Sequence, residues 1–155
     1  MLPGEEEQVS DLILRLFQEF VGHEYSQEGQ ERFTAYVAPA AMRQRSEHDH
    51  FMLVAINDEE VVGVIEIRQA RHLSLLFVDQ RFQRRGIARE LLAQALTRVR
   101  SENPTLDCLS VNASRYAVPA YERLGFRTIA AEEIVHGIIS TPMQLVLVEH
   151  PAPTG

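Results

Sequence analysis

Residues 83–89 read Gln-Arg-Arg-Gly-Ile-Ala-Arg, placing three arginines in a chain of 155 residues whose formal charge is −7. They follow a hydrophobic run and open an amphipathic one, so the chain here reads as strand, turn and helix. A helix leaves its first N–H groups unpaired, and its dipole adds positive potential there. The chemistry this suits is anion binding. Gly86 and Ala88 are small enough to let a diphosphate approach the backbone, and Arg84, Arg85 and Arg89 add charge. The same residues also fit a merely solvated turn, and on the turn alone the two readings have equal weight. The sequence contains no Gly-x-x-x-x-Gly-Lys-Ser/Thr loop and no Gly-x-Gly-x-x-Gly after a strand.

Other reactive side chains carry less. His48-Asp49-His50 offers alternating ligands but no identifiable third or fourth partner, so no metal site is expected. Cys108 is the single cysteine, which excludes an intrachain disulfide and a cysteine-rich zinc site. It reads as a buried residue at a strand start. Glu5, Glu6 and Glu7 suit the positive end of a helix and read as a solvated start. An acidic chain argues against general nucleic-acid binding. No apolar run approaches the length of about 18 residues that a membrane span requires. The N-terminus lacks the basic and apolar parts of a signal peptide. A cytoplasmic protein with no membrane partner is the expectation.

The elements around the basic turn follow from periodicity. Val9, Leu12, Ile13, Leu16, Phe17, Phe20 and Val21 recur at helical steps, with Gly22 available to end the helix. A weaker helix is expected over 26–36 with Ser26 as cap, then a short helical turn over 40–46. Residues 50–56 and 61–67 read as a hairpin about Asn57-Asp58, and 72–78 as a third, central strand. A long helix is expected over 85–100 and a parallel strand over 109–113, joined by a right-handed crossover. A short helix beginning at 112–114 should stop at Gly125. Two strands, 127–135 and 138–148, close the pattern about His136-Gly137. Pro142 should lie at a bulge or an edge. With 45% hydrophobic residues and no linker, residues 1–150 read as one domain and 151–155 as a tail.

These residues resemble a known family. Gln83-x-x-Gly86-x-Ala88 is similar to the Gln/Arg-x-x-Gly-x-Gly/Ala signature of the GNAT acyltransferases, and Glu90-Leu91-Leu92 follows it in the helix. Asn112, then Ala117-x-x-x-Tyr121-x-x-x-Gly125-Phe126, looks like the second hallmark of that family. The resemblance covers residues 50–147. It implies an α/β fold of mixed type, with a central mixed β-sheet, a splayed parallel strand pair and flanking helices. The implied activity is direct transfer of the acetyl group of acetyl-CoA to a primary amine in a ternary complex. Acetyl-CoA is then a cosubstrate, and no metal is needed. A ping-pong route through Cys108 is disfavoured.

The family also implies roles. The strand before the signature carries a bulge and splays from its parallel neighbour. Leu76, Phe77 and Val78 would present backbone groups to the pantetheine, with the Val78 N–H polarising the acetyl carbonyl. Gln83, Arg84, Arg85, Gly86, Ile87, Ala88 and Arg89 would hold the pyrophosphate, and Asn112 would bond the pantetheine from the other side. Tyr121 matches the general acid that protonates the departing thiolate. His72, eleven residues before Gln83, is the candidate base, with Glu66 the alternative and Ser74 placed to hold a water. His72 is equally well read as a strand-end residue that only packs.

Two features depart from the family. Only residues 1–4 precede the first helix, so the usual opening strand is missing or very short, which leaves a sheet edge open to pairing in a homodimer. Gln80 stands where many relatives have proline. The reading is an N-acetyltransferase acting on a small-molecule or peptide amine. The rival is a non-catalytic acyl-CoA-binding sensor or interaction module. The acceptor segments, 22–46 and 130–142, contain no legible motif.

Overall fold

The computed structural model describes residues 4–147. The helical spacing of Val9, Leu12, Ile13, Leu16 and Phe17 buries all five along one face of α1 (Glu6–Phe20). Its acidic start differs from the expected solvated one. Glu6 is buried, accepting from the Gly4 N–H at 2.8 Å and pairing with Arg43 at 3.4 Å. Ser26 caps α2 (Gln27–Tyr36) by accepting from the Gly29 N–H at 3.1 Å. Pro39 opens α3 (Pro39–Ser46), where its missing N–H costs nothing.

β1 (His50–Asn57) and β2 (Glu60–Arg68) form the expected hairpin. Its turn is Asp58-Glu59, with φ of 48° and 66°, the double left-handed conformation that matches strand twist. β3 (His72–Val78) is antiparallel to β2. α4 (Ile87–Glu102) then crosses to β4 (Cys108–Ala113), which is parallel to β3. α5 (Val118–Arg123), β5 (Arg127–Thr128), β6 (Glu133–Val135) and β7 (Ile138–Val146) complete the chain. The sheet order is β1-β2-β3-β4-β7-β5, with β6 also on β7. The α/β fold with a mixed sheet and one parallel pair is therefore present.

Helices cover both faces. Leu12, Ile13 and Leu16 of α1 pack with Val37 and Met42 on Met52, Val64 and Leu75. Leu91, Leu92, Ala95 and Val99 of α4 pack on Ile65, Ile67, Leu73 and Leu109 from the other side. Among the described residues no strand precedes α1, and β1 is the sheet edge.

Three boundaries differ from expectation. α4 starts two residues late because Arg84 and Gly86 take left-handed φ values of 65° and 81°. α5 begins at Val118, because Asn112 and Ala113 stay paired in β4 and the Ser114 carbonyl holds a turn by accepting from the N–H groups of Ala117 and Val118. Residues 127–135 form two short strands with a break between them. Pro142 is neither at a bulge nor on an edge strand, being in register with Asn112 of β4. Its carbonyl accepts from the Ile129 N–H, so its missing donor points to the same side, where pairing passes from β6 to β5. Val148 and the expected tail 151–155 lie outside the described residues.

Candidate active site

The site begins with an extra residue in β3. Ile67 pairs with Leu73 and Glu66 with Leu75, leaving Ser74 unpaired as a bulge. The bulge reverses the strand's alternation: Leu73 belongs to the α4 core and Leu75 to the α1 core. It also coincides with the end of β3–β4 pairing, which holds only at His72–Ser110 and Leu73–Val111. Beyond it the two strands diverge. The Asp79 N–H bonds the Val62 carbonyl on the β2 side at 2.8 Å. Backbone groups alternate along a strand, so the Val78 and Leu76 N–H groups point to the vacated β4 side.

The gap is the floor of a cavity of about 610 Å³ lined by Leu76, Phe77, Val78, Gln83, Arg84, Gly86, Ile87, Ala88, Arg89, Asn112 and Tyr121. The basic turn and the second hallmark therefore meet on one space. Asp79 anchors the turn. It is fully buried, bonds Arg15 of α1 at 2.9 Å, and accepts from the Arg81 guanidinium and backbone N–H at 3.0 Å each. Hydrogen bonds from Arg81 and then Arg15, opposed by burial, hold its carboxyl far below the usual carboxylate range. Gln83 Nε2 donates to the Val78 carbonyl at 3.1 Å, tying the loop to the strand end. Gly63 lets α4 sit close to β2: a Cβ there would meet Ile87 and Leu91 at 3.2 Å. The first turn of α4, with its unpaired N–H groups, is thus held at the mouth of the gap. A Cβ on Gly86 would meet nothing within 4 Å, so the approach to these N–H groups is open.

Arg85 does not line the cavity; its guanidinium lies 5.2 Å from the Phe82 ring centre. Arg123 of α5 does line it, a cation that sequence reasoning missed because nothing in the local pattern marked it. These donors fit a phosphorylated, extended molecule: cations and helix N–H groups at one end, unpaired strand amides and Asn112 along its middle.

Tyr121 is buried, with its ring edge-on to Phe126 at 5.2 Å between centres. Burial raises its hydroxyl pKa strongly, and nearby Tyr25 adds a smaller push. The phenol therefore stays protonated.

The two candidate bases do not line the cavity. His72 is at the opposite end of β3, roughly 20 Å from Val78 at the usual strand rise. Its Nδ1 is 2.7 Å from Ser110 Oγ, and burial, then Arg68, depress its pKa to about 4. Glu66 is buried beneath Ser74. Its Oε1 accepts from Tyr36 and from Ser74 at 2.6 Å each, and its Oε2 bonds Arg45 at 3.1 Å. Ser74 itself reaches the cavity. The remaining wall is largely apolar and rich in aromatics, with Phe17, Phe20, Tyr25, Phe33 and Tyr116 beside Leu16, Val21 and Leu75. Periodicity marked Phe17 and Phe20 as helix face and gave no sign that their neighbours border a cavity. Among the described residues no helix is long and apolar enough to cross a membrane.

Known proteins share this fold. An uncharacterized N-acetyltransferase of Escherichia coli, YafP, is 37% identical over 81 residues, 52% of this chain and 49% of that protein. The chain thus matches about half the length of that curated relative. A GCN5-related N-acetyltransferase structure from Rhodopseudomonas palustris superposes with a TM-score of 0.78 at 19% identity, over 95% of this chain and 92% of that one. The PaiA N-acetyltransferase of Thermoplasma acidophilum, solved with coenzyme A, gives 0.74 at 16% identity, over 92% and 93%. The family model described as the acetyltransferase (GNAT) domain matches residues 21–147, from the end of α1 through the last described strand, and so this chain belongs to the GNAT acetyltransferase family.

Proposed function

We propose that the chain transfers the acetyl group of acetyl-CoA directly to a primary amine. The observation that carries this reading is the convergence of four features on one cavity: the Val78 amide, the arginine-bearing start of α4, Asn112 and Tyr121. Bound acetyl-CoA would supply a thioester carbon open to attack. The Val78 N–H, unpaired in the gap, donates to the carbonyl oxygen as charge builds on it. The phenol of Tyr121, kept protonated by burial, gives its proton to the sulfur as the C–S bond breaks, and the proton that the nitrogen sheds on forming the amide restores the phenol, so that one proton passes from nitrogen to sulfur overall. Arg84, Arg89 and the amides of the first α4 turn hold the phosphates. Arg123 stands as a third cation of the same cavity.

Among the described residues lining the cavity there is no Asp, Glu or His. The attacking amine therefore arrives neutral, because an apolar wall disfavours its charged form. The Ser74 proton is committed to Glu66, so the Ser74 oxygen offers lone pairs to the amine and orients it. Glu66 acts through Ser74 and is a positioning residue. Calorimetry with acetyl-CoA, followed by thiol release in the presence of amines, tests the reading. Absence of acetyl-CoA binding would overturn it, and tight binding without release over a broad amine panel would establish the non-catalytic module instead.

A further inference from the structure

We propose that the acceptor is a primary monoamine carried on an aromatic or comparably flat apolar body. This rests on the acetyltransferase reading and names the substrate class of the same cavity. Away from the basic turn and α5, the cavity is bordered by Phe17, Phe20, Tyr25, Phe33, Phe77 and Tyr116, with aliphatic Leu16, Val21 and Leu75 among them. Phe17 stacks on Phe33 at 4.1 Å and meets Tyr25 edge-on at 5.2 Å, and Phe20 stacks on Tyr116 at 4.9 Å. Despite these partners, Phe20, Tyr25, Phe33 and Phe77 are only half-buried, and each borders the cavity. Rings packed on one another on one side and open on the other suit a further ring. Tyr25 also lies close enough to Tyr121 to influence its ionisation, so this wall reaches the transfer centre.

The charges point the same way. The charged side chains lining the cavity are Arg84, Arg89 and Arg123, all cationic. The nearby carboxylates are occupied. Glu66 is held by Arg45, Tyr36 and Ser74. Glu24 accepts from the Arg115 N–H at 2.9 Å and the Tyr116 N–H at 3.1 Å, one through each oxygen. A second ammonium on the acceptor would find cations and rings but no free carboxylate, and burying it unpaired is costly. The Glu24 clamp and the Phe20–Tyr116 stack also join the α1 side of the cavity to the α5 side. That shortens the space for an extended peptide.

The test uses the full chain, first confirmed by calorimetry to bind acetyl-CoA. Thiol release is then compared for 2-phenylethylamine, propylamine, spermidine and kanamycin at equal concentration. The expected result is a kcat/KM for 2-phenylethylamine at least about 10-fold above each of the others, the scale of one buried aromatic contact. Phe33→Ala should lower the 2-phenylethylamine value by about 5-fold more than the propylamine value, a split that loss of folded protein cannot produce. Preference for spermidine or kanamycin, equal rates with propylamine, or no release from any amine would overturn the proposal. Preference for another amine or equal rates leave the acetyltransferase reading standing, whereas absence of release from every amine, or failure of the calorimetry, strikes that reading as well.

Discussion

The Ser74 hydroxyl donates to Glu66 Oε1 at 2.6 Å across the point where β3 carries one more residue than β2. The bulged residue borders the cavity while its hydroxyl proton is held by Glu66. Glu66 is in turn fixed by Arg45 of α3 and Tyr36 of α2. A single buried carboxylate thus links α2 and α3 to the strand that opens the gap.

Removing the two residues should have different effects. Ser74→Ala is expected to lower kcat about 10-fold with little change in the unfolding midpoint, since it removes one orienting bond. Glu66→Ala leaves the Arg45 guanidinium unpaired and mostly buried, and should destabilise the fold by about 3–5 kcal/mol. Urea unfolding of both variants beside steady-state rates measures the difference.

Tyr121→Phe keeps the ring against Phe126 and removes only the proton. Acetyl-CoA affinity should be retained while kcat falls by about 100-fold, the low end for losing a positioned acid. Because burial holds the wild-type phenol protonated, the wild-type kcat should show no alkaline decline below about pH 10, the ordinary tyrosine value.

Arg84 and Arg85 are adjacent yet differently placed. Arg84→Ala should raise the KM for acetyl-CoA about 10-fold, as expected for losing a charge-assisted contact to phosphate. Arg85→Ala, which removes a side chain lying over Phe82, should change it less than about 2-fold. Isothermal titration with CoA and with dephospho-CoA would show in addition which cation, Arg123 included, meets the third phosphate.

His72 should govern stability and leave the reaction alone. Its folded pKa of about 4 lies below the ordinary 6.5, so the unfolded chain binds more protons between those values. Its neutral form is the stabilising one, so stability is complete above about pH 6.5 and falls as pH drops towards 4, by about 3 kcal/mol for a shift of this size. His72→Asn should flatten that slope in chemical unfolding between pH 4 and 7. The rising limb of kcat/KM, set by the amine, should stay where it is in the variant.

Much of this frame was legible in the sequence. β3 was expected at its observed bounds because a run apolar on both faces has few alternatives. The α4 turn was legible as a candidate anion site from its own residues, while Tyr121 stood out only through the family resemblance that Gln83, Gly86, Ala88 and Asn112 carry. The α4 start was misplaced because left-handed φ at Arg84 is invisible in a residue that rarely adopts it. The bulge at Ser74 has no composition signal of its own; it is a mismatch between two strands. Glu6, placed in solvent by its type, is buried because Arg43, 37 residues on, folds against it. His72 matched a family offset, yet an offset along a strand says nothing about which end of a gap a residue occupies. The aromatic wall was hidden for a related reason: a phenylalanine in a helix pattern looks the same whether it faces a core or a cavity.

The Arg15–Asp79 pair and the Glu24 clamp have a practical meaning for engineering. Residues 5–46 meet the rest of the chain through three charged joints: Arg15 at the base of the basic turn, Glu24 at the turn before α5, and Arg45 on Glu66 of β2. A chimera that swaps this segment for that of a relative, to obtain a new acceptor, has to carry all three joints with it. Without the arginine, Asp79 loses one of its two cationic partners. Without the glutamate, the residues leading to Tyr121 lose their anchor. If the proposed acceptor side is right, acceptor choice moves between relatives only as a cassette with its fasteners attached.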